Sequence, residues 1–518
     1  MEPPEARLAE APDAWQNLDL QEDGVPGTSA DRALRELLAD RVPRRTVVVA
    51  VIDGGVDTAH VDLRDALWTN PDEQPGNDVD DDGNGYVDDV HGWNFLGGSD
   101  GRSVNQERFE VTRLYATCQS GVTPDGYDCQ ELAAAFREEE QEVRSMAQQV
   151  EQIRGAMDVI TPLLQQATGT EELTPEVVRG LSTADPRLNQ AKEIYLQLEA
   201  AGITPETLEE VEEDLTDRRD YGLNPDFDPR PIVGDDPTDE DERRYGNADV
   251  MGPDAEHGSH VAGIVAAIRD NGVGMDGIAS PNVRIMAIRA VPNGDERDKD
   301  VANAIRYAVD QGADIINMSF GKSFSPEKSL VDEAVRYADE NGVLLVHAAG
   351  NDAADLEVEE NYPNPFYEDG GRASNWITVG ASSWKADSLA APFSNYGRTR
   401  VDLFAPGVDI LSTVPGEEWE RNDGTSMAAP VVTGVAALLM AYFPDLDAAE
   451  VKRILLESAV PYADQAVPPP GEPAAPVAFG SLSVTGGVVN AYEAVRRALA
   501  VFQEDREALS TPVFGAGR

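Results

Sequence analysis

Basic residues are scarce in this chain, and lysine scarcest of all. Its 518 residues hold 41 lysines and arginines against 96 aspartates and glutamates, a formal charge of −55, and only six of the 41 are lysine. A surface of that sign repels phosphate, which excludes nucleic acid and anionic lipid as docking partners. GC-rich coding explains arginine over lysine but not the excess of acid. A heavily acidic chain stays dispersed in concentrated salt, where its self-repulsion is screened, so salt adaptation is expected. Long hydrophobic runs are also missing, and none reaches the length of a membrane span. The first ten residues lack the apolar segment of a leader, so the expectation is a protein that stays inside or a sequence that starts after a removed one. Cysteine occurs twice, at Cys118 and Cys129. That pair reads either as a disulfide closing a small loop in an oxidising compartment or as two free thiols. Histidine occurs five times, which narrows any search for imidazole chemistry.

What is present is a globular composition, 41% hydrophobic, in a chain long enough for two to four domains. Thr46 to Ile52 is a near-continuous β-branched run ending in Asp53-Gly54-Gly55. Such runs mark strands buried on both faces of a parallel sheet, whose catalytic groups gather at the carboxyl ends. From residue 282 onward strands and helices alternate: strands at 283–289, 314–318, 343–348, 377–379 and 401–404, helices at 299–311 and 330–340. This is the pattern of a doubly wound α/β sheet. Between these halves, Phe136, Val143, Met146, Val150, Ile153, Met157, Ile160 and Leu164 keep helical spacing with one missing turn at Glu139. They predict a helical hairpin or small bundle whose apolar stripe is packing.

Three stretches carry chemistry. Gly424-Thr425-Ser426-Met427-Ala428-Ala429-Pro430 precedes an apolar helical run, with Pro430 expected in the first turn. Ser426 is thereby set at a helix N-terminus, where free N–H groups favour a developing negative charge. His257-Gly258-Ser259-His260 opens an Ala/Val/Gly helix, and Asp53 ends the first strand. Separately, residues 78–89 place Asp78, Asp80, Asp82 and Asp89 at loop positions 1, 3, 5 and 12, with Gly83 at 6. Hard oxygen ligands around a sharp turn are what a calcium loop needs, although Asp replaces Glu at position 12 and no helices flank it. The alternative is a solvated acidic turn.

Asp-Gly-Gly, His-Gly-Ser-x-Val-Ala-Gly and Gly-Thr-Ser-Met-Ala-Ala-Pro, in that order, resemble the subtilisin-like serine proteases. The resemblance covers roughly residues 45–98 and 250–500. It implies an α/β, doubly wound, mostly parallel fold with a large helical insertion between Asp53 and His257, which stand further apart than is usual for the family. The implied layout is an N-terminal extension (1–45), a catalytic domain (46–99 and 246–501), an acidic helical insertion (100–245) and a tail (502–518). The implied function is a serine endopeptidase acting on polypeptides. Ser426 would be the nucleophile, His257 the general base and Asp53 its orienting partner. Asn351, in Ala348-Ala349-Gly350-Asn351, would be the oxyanion-hole donor. Ser319, Phe320, Gly321, Ala349 and Gly350 would bind the substrate backbone and its first side chain. Lys322 stands where the family commonly has glycine, which implies a narrower or more cationic pocket, or a solvated lysine. Asp295 to Asp300 lies where the family has its other substrate-side loop, and reads either as a preference for basic side chains upstream of the cleaved bond or as a salted surface turn, the latter being favoured. Asp62 and Asn271 resemble ligands of the family's strong calcium site, and His260 and His347 read as packing residues.

The family resemblance also implies secretion or a periplasmic location, and maturation by removal of a folded prodomain, for which residues 1–45 are too short. The insertion is a candidate partner or dimer surface. Two competing readings remain: a silent member of the fold used as a binding scaffold, and a calcium-sensing switch.

Overall fold

The computed structural model describes residues 10–510 apart from 280 and 472–473, and not the side chains of 206 and 502–510. The chain forms two compact units, Met1–Asn105 with Pro229–Arg518, and Gln106–Asp228.

The first unit is built on a mostly parallel sheet of nine strands, ordered β10-β13-β7-β6-β5-β4-β1-β3-β2. Its strands are β1 (Val47–Asp53), β2 (Gly92–Asn94), β3 (Val283–Arg289), β4 (Ile315–Met318), β5 (Leu344–Ala348), β6 (Trp376–Ser382), β7 (Leu403–Pro406), β10 (Val460–Pro461) and β13 (Gly487–Val488). Among the described residues two antiparallel pairs stand outside this sheet, β8 (Ile410–Val414) with β9 (Glu418–Asn422), and β11 (Ala466–Val467) with β12 (Val477–Ala478). The antiparallel edge pair is β10 with β13.

Side chains alternate across a strand, and in β1 both faces are apolar. Val47, Val49 and Val51 enter the core that includes the His257 helix (Glu256–Ala266) and the Ser426 helix (Thr425–Tyr442). Ala50 and Ile52 enter the opposite layer, with the helix Asp298–Asp310. Continuous apolarity is therefore what a doubly covered strand requires, and β1 pairs parallel with β3 on one side and β4 on the other.

The Ser426 helix is long and apolar enough to cross a membrane by length and composition, yet 89% of it is buried inside the protein. It is a core helix. It starts at Thr425, so Pro430 lies in its second turn, not the first as its sequence position led us to expect.

Residues 10–45 lie within this unit. Trp15 is fully buried and donates its indole N–H to the Val408 carbonyl at 2.9 Å. Residues 229–245 also belong here, held by an ion cluster. Arg230 pairs with Asp235 and Asp300, Lys299 pairs with Asp235 and Glu242, and the Tyr245 hydroxyl donates to Asp300. Asp300 is fully buried, so the 295–300 stretch is no salted surface turn.

The second unit is helical. Its 40-residue helix Cys129–Thr168 starts with Asp128 accepting from the N–H groups of Gln130 and Glu131. Phe136, Val143, Val150, Met157, Ile160 and Leu164 are buried along one face, while Met146 is exposed. Helices Glu110–Gln119, Pro175–Gly180, Pro186–Ala200 and Pro205–Asp217 accompany it, the last three each opening on proline after a Thr or Asp cap. Cys118 and Cys129 form a disulfide across 11 positions.

Candidate active site

The carboxyl ends of β1, β4 and β5 are neighbours in the sheet, and Asp53, Ser319 to Gly321 and Ala349 to Asn351 emerge from them, while His257 and Ser426 stand in the first turns of two helices. Asp53 is the last residue of β1. Its Oδ1 accepts from the Gly54 N–H at 2.7 Å and lies 2.8 Å from Nδ1 of His257, across 204 positions of chain. That approach depends on Gly258: a Cβ there would stand 2.1 Å from the Gly55 carbonyl and 3.1 Å from Asp53 Oδ1. The Asp53 side chain is 3% exposed and that of His257 is 45% exposed, so the imidazole is fixed on its inner edge and open on its outer one. Burial pushes the His257 pKa down from 6.5, but the charge and hydrogen bond of Asp53, with Glu256 and Asp254 beyond, outweigh it and hold the imidazole above that value.

Ser426 is the second residue of its helix, and Gly424 before it takes φ of +154°. Its Oγ donates to the Ser319 carbonyl at 3.1 Å. Asn351 follows β5, and its Oδ1 accepts from the N–H of Thr425 at 2.9 Å and from its hydroxyl at 3.0 Å. With the amide oxygen committed, Nδ2 of the exposed Asn351 has no protein partner among the described residues and is left to donate. Gly350 is tied to the same threonine, its N–H donating to Thr425 Oγ1 at 3.0 Å.

Ser319, Phe320 and Gly321 extend β4, and Ala349 and Gly350 extend β5. The gap between these segments is spanned by Asn361, which sequence reasoning missed. Its Nδ2 donates to the Ala349 carbonyl at 3.0 Å, and its amide lies 2.5 Å from where a Cβ on Gly321 would stand. His347 is buried and its Nε2 sits 2.8 Å from the Phe320 carbonyl, with burial pulling its pKa down to about 4. His260 is likewise buried, near the Glu420 carbonyl, its pKa pulled down to about 4 by burial. Lys322 neither lines a cationic pocket nor sits in solvent. Its side chain is 1% exposed, and its ammonium donates to the Glu296 carbonyl at 2.8 Å and pairs with Asp298 at 2.9 Å.

The acidic loop is arranged differently from a linear ligand series. Among the described residues, the carboxylates that approach within 4.8 Å of one another are Glu73, Asp82 and Asp89. Asp78 and Asp80 lie outside this group, and the Asp80 carboxylate accepts from the N–H groups of Gly83 and Gly85. Burial pushes Asp89 up to about 6, against hydrogen bonds from Tyr307, Asn70 and Asn84. Glu73 is 7% exposed, and its Oε2 has no hydrogen-bond partner among the described residues. Oxygen-only donors and an orphaned buried carboxylate oxygen fit a hard divalent cation. Asp62 and Asn271 are brought together at 2.6 Å, but the Asp62 oxygens accept from Asn271 Nδ2 and Trp419 Nε1.

The family profile described as "Subtilase family" matches residues 44–481. The chain is similar to a "Thermophilic serine proteinase" of Bacillus sp. (strain AK1), 44% identical over 221 residues, covering 42% of this chain and 49% of that protein. It is similar to a "Major intracellular serine protease" of Bacillus subtilis (strain 168), 39% identical over 224 residues, covering 42% of this chain and 65% of the other. The chain thus spans 49% to 65% of the length of these relatives. Among solved structures, "Proteases from Pseudoalteromonas arctica PAMC 21717" aligns with 94% of this chain and 97% of its own at 19% identity and a TM-score of 0.48.

Proposed function

The chain belongs to the subtilase family, and from that premise we propose that it is a serine endopeptidase cleaving polypeptides through an acyl-enzyme. The supporting observation is the 2.8 Å contact of His257 Nδ1 with Asp53, with Ser426 at a helix N-terminus beside an Asn351 amide whose oxygen is already committed. Ser426 Oγ attacks the scissile carbonyl and His257 Nε2 takes its proton, then returns it to the leaving amine. Asp53 fixes the tautomer with Nδ1–H and stabilises the imidazolium. Asn351 Nδ2–H and the Ser426 N–H donate to the oxyanion, in a preorganised array where one such donor is worth about 3 kcal/mol. The substrate backbone pairs with Ser319 to Gly321 on one side and Ala349 to Gly350 on the other, which suits broad sequence tolerance.

A fluorophosphonate tests this reading: it should label the folded chain at Ser426 and fail to label Ser426→Ala. Absence of labelling would favour the scaffold reading.

Calcium is proposed as a stabilising ion, held by Glu73, Asp82 and Asp89, with Asn70 and Asn84 beside them. It would add electrostatic cross-linking, and no catalytic step runs through it. The disulfide supports export to an oxidising compartment, and the charge of −55 supports tolerance of concentrated salt.

A further inference from the structure

We infer that Asn317 and Ser319 are positioning residues, holding the backbone of Ser426 through a hydrogen-bond relay that Pro430 makes necessary. The inference rests on Ser426 being the nucleophile. In an α-helix the N–H of residue 430 would bond to the carbonyl of residue 426. Proline has no N–H, so the helix cannot satisfy the nucleophile's own carbonyl. The carbonyl is satisfied from outside: Ser319 Oγ donates to it at 2.9 Å.

The hydroxyl is itself oriented. Asn317 Nδ2 donates to Ser319 Oγ at 2.9 Å, so the single Ser319 proton is directed at Ser426. Thr433 Oγ1 in turn donates to Asn317 Oδ1 at 2.8 Å, which fixes the amide. The relay starts on the Ser426 helix, crosses β4 and returns to the same helix two residues past its cap, Gly424. Asn317 and Thr433 are fully buried and Ser319 is 3% exposed. Asn317 Nδ2, Ser319 Oγ and Thr433 Oγ1 each donate to one acceptor away from solvent, and a buried polar network connected in this way favours one geometry. Ser319 meets Ser426 twice, because its own carbonyl accepts the Ser426 hydroxyl at 3.1 Å. The relay therefore fixes the nucleophile from its carbonyl side while leaving its N–H free for the oxyanion.

Coupling between positions 319 and 430 is the test. Acylation by a fluorophosphonate and peptide kcat and KM are measured for wild type, Ser319→Ala, Pro430→Ala and the double variant. With Pro430 present, Ser319→Ala should slow acylation about tenfold or more through misplacement of the nucleophile. KM and the pH limb set by His257 should not move, and Ser319→Thr should restore the rate. With alanine at 430, the new N–H reaches the Ser426 carbonyl, and Ser319→Ala should cost less than about threefold. Equal factors in both backgrounds, or none beside Pro430, would overturn the relay.

Should Ser319→Ala fail to fold at working temperature, thermal midpoints in a Ser426→Ala background, which keeps the carbonyl, carry the same comparison. A larger drop beside Pro430 supports the relay, and equal drops overturn it. A wild-type chain that is never labelled overturns the nucleophile reading and the positioning role with it, whereas labelling without coupling overturns the relay alone.

Discussion

The two units of this protein solve their packing in opposite ways. In the first, a strand such as Val47–Asp53 is buried on both faces and ends in a carboxylate whose position is fixed by single hydrogen bonds. In the second, one 40-residue helix buries a stripe of seven side chains and leaves its other faces to solvent. A periodic stripe tolerates exchange of one apolar residue for another of similar volume. A site assembled from strand ends does not, because each donor there serves one acceptor.

That contrast fixes the order of expected effects. Asp53→Asn should cut kcat by about 10⁴-fold, as the template triad does on losing its tautomer. The same change removes the charge that raises the His257 pKa. In wild type the neutral base is lost as pH falls, so the acid limb of kcat/KM should lie above 6.5 and move down in the variant. Leu164→Ala, at a fully buried position of the second unit, should cost about 2–5 kcal/mol in hydrogen-exchange stability there. Peptide kcat/KM should stay within twofold, and a catalytic loss of Asp53→Asn size would erase the distinction between the units.

Chelation should lower the thermal midpoint by the binding linkage, about 2.7 kcal/mol at calcium a hundred times its Kd. Glu73→Gln should abolish that calcium response. Replacing Cys118 and Cys129 by serine should cost about 2–3 kcal/mol, confined to the second unit.

A pH-dependent effect belongs to Glu296, 2% exposed and raised to about 8, chiefly by burial, with Lys322 opposing and Asp295 adding to the shift. A carboxyl raised in the fold contributes stability that is fully present below its ordinary 4.5 and lost as pH rises through about 8. Glu296→Gln should flatten this decline, which runs between pH 4.5 and about 8, in a series of thermal melts.

Much of the first unit could be read in advance because its information is local. β-branched runs gave the strands, and Asp53, His257 and Ser426 sit in short motifs at element ends. What escaped depends on isolated polar side chains meeting across long separations, which leave no periodic trace. Asn317 meets Thr433 over 116 positions, and Lys322 turns back to Glu296. Glu73 lies before the acidic loop and joins it only through a fold that brings Asp82 and Asp89 to it. Pro430 was misplaced by one turn because the helix begins at Thr425, where the Asn351 amide oxygen receives the N–H of Thr425 and so extends the start. The hairpin Ile410–Val414 with Glu418–Asn422 was missed because charged residues interrupt its second strand.

The long separation of Asp53 from His257 has a consequence for survival in a proteolytic milieu. β1 is laced to β3 and β4 along its length, so Asp53 is anchored without help from residues 106–228. A single cut within that span, outside the loop closed by Cys118 and Cys129, would yield two polypeptides joined through the sheet, with the aspartate on one and the histidine on the other. Such a nicked species should migrate as two bands on a denaturing gel while still turning over substrate.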